Sequence, residues 1–176
     1  GRNLGEATGN LPSLAGPGGA DAGTAAAPGR VQVAPQRSWD DAIIYFVLVD
    51  RFADGDPSNN VRDNEYTRYG LPTLAKPWGA IPTPYKTMKG IEFFGGDLQG
   101  IAQNLDTIAE LGINALYLNP IFISPTNHKY DISDFKAVDP HFGGDAALID
   151  LRRALDERDM RVMAADTAQV LAEPPP

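Results

Sequence analysis

The 176-residue chain contains no cysteine. Disulfide staples and thiol catalysis are therefore excluded, while the redox compartment stays open. It also lacks any run of about 18 apolar residues, the length a membrane-spanning helix needs, so no membrane partner is expected. Excess positive charge is missing too. The formal net charge is −8, which disfavours broad contact with nucleic acid or an anionic lipid surface. What remains is an ordinary globular balance, 43% hydrophobic and 22% charged, with length for about one domain. The chain opens on Gly rather than Met, so a processed or cut start is expected, with any signal peptide outside view.

Positions 1–37 are mostly Gly, Ala and Pro with few large apolar residues. Such a segment has little to offset the entropy of ordering, and it reads as a disordered tail ahead of a folded part spanning 38–176. Ile43 to Val49 is a continuous apolar run, which suits a strand covered on both faces in a parallel sheet. Asp50 to Asn60 then packs short oxygen-bearing side chains around a Gly-Asp-Pro turn. Two readings stand side by side: a loop that offers oxygen ligands to a hard cation, and a polar loop built from turn residues. Val61 to Ile91 holds four prolines and scattered aromatics and reads as a long irregular excursion. Its Trp78 and Tyr85 either line a sugar site or pack the excursion on itself.

The chain is organised around Glu92 to Phe142. Leu98, Ile101, Leu105, Ile108 and Leu111 recur at helical spacing and predict one apolar stripe. Asp97 stands where an N-cap belongs and Gly112 where the helix stops. Ile113 to Leu118 reads as a buried strand closed by Asn119-Pro120. Gly143-Gly144-Asp145 opens a second helix with Leu148, Leu151 and Leu155 inward, and Arg161 to Ala165 reads as a third strand with Asp166 at its end. Three parallel strands are expected, in chain order, with the first and third as open edges and the long polar loops at their C-terminal ends.

Five stretches in order, IYFVLVDRFADGDPSNN, FFGGDLQGI, LGINALYLNPIF, SPTNHKYDISDF and VDPHFGG, resemble the α-amylase superfamily of glycoside hydrolases. The branch they resemble is the neopullulanase, cyclomaltodextrinase and maltogenic amylase group. The resemblance runs from about Ile43 to Met163. It implies α/β architecture: an incomplete (β/α)8 TIM barrel of about three strands and two helices, the N-terminal portion of the catalytic barrel. It implies a calcium site made by Asp54, Asp56, Asn59, Asn60, the Gly95 carbonyl and Asp97, with Asp97 able to serve as N-cap as well. It implies that Tyr130 stacks on a sugar ring, with His128 and Asp131 beside it. The alternative for His128 and Asp134 is that they pin the loop by hydrogen bonds. His141 is expected to fix the entry to the second helix.

The family carries out retaining hydrolysis of α-glucosidic bonds in starch, maltooligosaccharides or cyclodextrins. That chemistry needs a carboxylate pair, which the resemblance places at the ends of strands four and five, with a further Asp after the seventh. No residue of this chain is assigned a catalytic role on that basis. At the third strand the family's D-x-x-x-N-H pattern would put its Asp on Ala165 and its His on Val170, and only a one-residue slip recovers Asp166. The expected function is a fragment of an α-glucan-active hydrolase, inactive alone. The alternatives are a calcium- or glucan-binding module without turnover, or a truncated remnant. Calcium, an α-glucan partner and self-association through open sheet edges complete the expectations, with a secreted or periplasmic location preferred over a cytoplasmic one.

Overall fold

Chain order in the computed structural model runs as follows. Strand β1 is Ile44–Val47, β2 Thr67–Arg68, β3 Leu71–Pro72, β4 Leu74–Ala75 and β5 Glu92–Phe93. Helices α1, Leu98–Gln103, and α2, Leu105–Glu110, come next. They are followed by β6, Ala115–Leu118, then β7, Phe122–Ile123, and β8, Asp134–Val138. Helix α3, Gly144–Asp156, and β9, Arg161–Ala164, close the order. The structure describes residues 39–68, 70–84 and 90–165, all within one unit. The expected tail at 1–37, Tyr85 and Asp166 lie outside the described residues.

The central sheet is β1-β6-β9, parallel throughout, as the strand-helix-strand order predicts. Ile44 pairs with Ala115 and Leu118 with Ala164, so all three strands end at one level, where the long loops leave. Leu98, Ile101, Leu105 and Ile108 on α1 and α2 pack with Leu151 and Leu155 on α3 against Leu116 and Leu118 of the sheet. Each of these large side chains stabilises the fold by about 1.5–3 kcal/mol through burial, an upper estimate for an extended unfolded reference.

Five expectations are corrected. The first strand is shorter than Ile43 to Val49, because Val49–Arg51 forms a 3-10 turn in which Val49 N donates to Asn119 Oδ1 at 2.8 Å. It is also not covered on both faces: Ile44 is 51% exposed and Phe46 48%. Among the described residues β1 has a strand partner on one side only. The single helix Asp97 to Gly112 is two helices of 6 residues each, divided at Asn104. Asn104 leaves helical geometry (φ −110°, ψ 9°) and its Nδ2 donates back to the Gly100 carbonyl at 2.8 Å, a side-chain bond that competes with the ladder. Leu111, predicted in the stripe, falls on the last turn and is 73% exposed. Gly112 (φ +80°) ends the helix as read. The excursion is not wholly irregular either, since β2 and β3 pair antiparallel and β4 and β5 pair parallel.

Candidate sugar loop and cation loop

Asn119, fully buried at the end of β6, starts the sugar loop. Its Oδ1 accepts from Val49, and its Nδ2 donates to the carbonyls of Pro120 at 3.0 Å and His128 at 3.1 Å. Asn127 fastens the loop to β5 through Nδ2 and the Glu92 carbonyl at 2.7 Å. The antiparallel pair β7–β8 closes its base. Side chains then alternate. His128 and Tyr130 point outward with ring centroids 5.9 Å apart and planes 36° from parallel, and Lys129 between them is wholly buried. Tyr130 remains 45% exposed, so part of the side chain is open to a ligand.

The state of His128 follows from its partners. Tyr130 N–H donates to His128 Nδ1 at 3.2 Å, which makes Nδ1 an acceptor. Burial lowers the imidazole below its ordinary value, against the opposing pull of Asp131. The neutral ring therefore carries its proton on Nε2 and offers one donor there.

Asp131 is engaged on both oxygens. Oδ1 accepts from Ser124 Oγ at 3.0 Å and from Thr126 Oγ1, and Oδ2 lies 2.6 Å from Arg68 Nε in an ion-pair contact that is not aligned as a hydrogen bond. Burial pushes its carboxyl up, but the two hydroxyls and Arg68 outweigh burial and hold it below the usual range. In this geometry Asp131 shapes the loop and ties it to the hairpin of β2. Asp134 caps a local turn by accepting from Lys136 N at 2.8 Å. His141 joins the entry of α3 to the first loop, with Nδ1 2.5 Å from the Asn59 carbonyl and Nε2 2.8 Å from Glu65 Oε1.

The cation loop lies after β1. Asp97 is fully buried and its four donors are all N–H groups. Gly55 N and Gly100 N reach Oδ1 at 3.1 and 2.6 Å, and Asp56 N and Asn59 Nδ2 reach Oδ2 at 2.9 and 3.0 Å. It caps α1 and clasps the loop at once. Asp56 accepts from Ser58 N at 3.0 Å and Ser58 Oγ at 2.6 Å, bonds that hold its carboxyl below the usual range. Asp54 Oδ1, Asn59 Oδ1 and Asn60 Oδ1 are different, being buried acceptors with no hydrogen-bond partner. Three orphaned oxygens on one loop fit a hard cation, since each buried acceptor without a partner is costly. Gly95 (φ +84°) closes on this point, and a Cβ there would fall 2.5 Å from the Asn60 amide. The set is two amides and one carboxylate, Asp54, whose other oxygen accepts from Asn60 Nδ2 at 2.9 Å, and no three His, Cys, Asp or Glu side chains gather as ligands among the described residues.

Sequence reasoning passed over the struts. Asp50 is buried and accepts from Phe94 N at 3.0 Å and Arg51 Nη1 at 2.8 Å. Burial raises its carboxyl despite these bonds. Asn119 and Lys129 complete this group. The available signal was position: Asp50 and Asn119 each stand directly after an apolar strand stretch, where a polar side chain can tie the strand end to a neighbour.

Comparison with known proteins agrees with this geometry. The family described as "Alpha amylase, catalytic domain" matches residues 46–167, four residues beyond the Met163 limit read from the motifs. A cyclomaltodextrinase of Geobacillus thermopakistaniensis is 41% identical over 136 residues, covering 76% of this chain and 20% of that protein. Neopullulanase 2 of Thermoactinomyces vulgaris is 40% identical over 121 residues, covering 69% and 18%. Among solved structures, the ligand-free cyclic alpha-maltosyl-(1→6)-maltose hydrolase of Arthrobacter globiformis superposes with a TM-score of 0.58 at 40% identity, over 70% of this chain and 24% of that one. The type III pullulan hydrolase of Thermococcus kodakarensis superposes with a TM-score of 0.63 at 32% identity, over 70% and 22%. The chain spans about a fifth of the length of the curated relatives it matches. Matched motifs, parallel sheet order and loop placement converge on one assignment: the chain belongs to the α-amylase family of glycoside hydrolases, as the N-terminal portion of its catalytic domain.

Proposed function

We propose that this chain supplies the sugar-stacking loop and a calcium-binding loop of an enzyme that hydrolyses α-glucosidic bonds in maltooligosaccharides, cyclodextrins or starch. The observation that carries the reading is the exposed Tyr130 side chain set beside the His128 ring. A pyranose lays its C–H face on such a ring, and the His128 Nε2–H donates to a sugar hydroxyl. Asp131 keeps the loop in shape through Ser124, Thr126 and Arg68 rather than by reaching the sugar first. The names of the relatives support the substrate class.

Asp54, Asn59 and Asn60 would hold the calcium ion, with the Gly95 carbonyl as a fourth donor. The ion would act as a tie between the first loop and the start of α1, with no part in bond cleavage. The acid and nucleophile of the family come from strands four and five, which are not among β1, β6 and β9. The 176 residues alone are therefore expected to bind glucan without turnover. The test pairs titration with maltoheptaose and an assay on starch, pullulan and cyclodextrin. Saturable binding that Tyr130→Ala weakens at least tenfold, with no hydrolysis above blank, is the expected result. Hydrolysis that survives repurification and is lost with Tyr130→Ala would overturn the view that the chain is inactive alone.

A further inference from the structure

Lys129 is the largest fully buried side chain in the described residues, and a buried ammonium calls for a reason. Its backbone is left-handed (φ +58°), a conformation that Gly adopts freely and a long side chain rarely does. Something must hold it there. The Nζ donates to Asp139 Oδ2 at 2.6 Å and to the Ser124 carbonyl at 3.0 Å, and it lies 5.1 Å from the ring centroids of both Phe93 and Phe142. Asp139 gathers further donors, Ser124 N on the same oxygen at 3.3 Å and His141 N on Oδ1 at 2.9 Å. One ion pair thus joins the sugar loop to β5 and to the turn that opens α3. Desolvation pulls the ammonium below its ordinary value, and Asp139 opposes it.

Neighbours in the chain are turned by this contact. With Lys129 drawn inward at a positive φ, the side chains on either side emerge together on the outer face, which is where the His128 and Tyr130 rings meet. We propose that Lys129 is a positioning residue for sugar binding: its buried pairing with Asp139 fixes the loop conformation that sets the His128 and Tyr130 rings side by side. The sugar role of those rings rests on the reading given above, whereas the anchor itself does not.

The test uses the full 176-residue chain. Wild type is expected to show slowly exchanging Lys129 ammonium protons by NMR, with contacts to the Phe93 and Phe142 rings. Lys129→Met alone leaves Asp139 buried and unpaired and endangers folding, so the informative variant is K129M combined with D139N, which removes both charges at nearly constant volume. This variant is expected to keep the native amide spectrum, to lose the ring-to-ring contact of His128 with Tyr130, and to bind maltoheptaose at least tenfold more weakly. If it retains both the ring contact and the affinity within twofold, the anchor role is overturned. A Lys129 ammonium averaged with solvent in wild type overturns it without any variant, and this signature decides the matter if the double variant does not fold. If Tyr130→Ala binds maltoheptaose as wild type does while K129M with D139N loses the ring contact, the anchor stands and the sugar reading fails.

Discussion

Asp97 and Asp54 stand near each other in one loop system, yet their oxygens are in opposite situations. Asp97 is surrounded by N–H donors, whereas Asp54 keeps one buried oxygen without a partner. A cation that binds only the folded chain raises stability by mass action, about 2.7 kcal/mol at a hundredfold excess over Kd. Calcium added to metal-stripped protein should therefore raise Tm. Asp54→Ala or Asn60→Ala should abolish the rise, and Asp56→Ala, whose carboxylate serves Ser58, should preserve most of it. An unchanged melt in wild type would count against the site. His128 gives a second residue-level expectation. Its folded pKa lies below the ordinary imidazole value of 6.5, so the folded chain binds this proton more weakly than the unfolded chain. Its contribution is full above about pH 6.5 and is lost as pH falls through the folded value. Asp131 and Glu92, also held low, act in the same direction but at more acidic pH. Melts from pH 7 to pH 5 should show falling Tm in wild type and a flatter profile in His128→Asn; parallel profiles would refute the assignment. The residue types of both loops were legible in the sequence. Which oxygens were already taken was not, because Asp97 meets donors 38 to 42 residues away in the chain.

Helix α1 shows where close approach overrides propensity. Gly100 sits inside it, where Ala would ordinarily gain about 1 kcal/mol. Here an added Cβ would fall 2.0 Å from the Ala53 carbonyl oxygen, a backbone atom that cannot swing aside. Overpacking of this kind costs about 1–3 kcal/mol and displaces the cation loop as well. Gly100→Ala should therefore lower stability by up to about 2 kcal/mol net, read as a drop in the urea midpoint at constant m. A gain approaching the helix-propensity value would show that the loop and helix are not in contact. Periodicity identified the buried stripe of α1 and α2 because that pattern is local. The break at Asn104 escaped it, since one side-chain bond to the Gly100 carbonyl decides it. Strand β1 escaped in another way. Its run of apolar residues is the pattern of a doubly covered strand, but exposure depends on what packs against it, and Ile44, Tyr45 and Phe46 remain 51, 40 and 48% exposed.

The described residues are built around a three-stranded sheet with two outer strands. β6 is paired on both sides, and β1 and β9 each have one partner among the described residues. Closing an eight-stranded barrel fixes strand number, tilt and stagger together, so three strands cannot close on themselves. Ile43, Ile44, Tyr45 and Phe46 are all exposed beside the β1 edge, and Phe46 leans on Tyr117 of the central strand with ring centroids 5.3 Å apart. Unpaired backbone next to contiguous apolar side chains is the arrangement that recruits a second chain. Net charge works against association, since a formal −8 repels like copies, but that repulsion is screened beyond about 8 Å at physiological salt while edge pairing acts at contact. Sedimentation should therefore show species larger than the monomer that grow with protein concentration and with salt, and the calorimetric transition should be broad. Phe46→Lys places a charge on the edge strand and should shift the distribution toward monomer. A monodisperse monomer with one sharp transition, at high salt and without that substitution, would mean that β1 is covered in solution and that the open edge is not a feature of the protein.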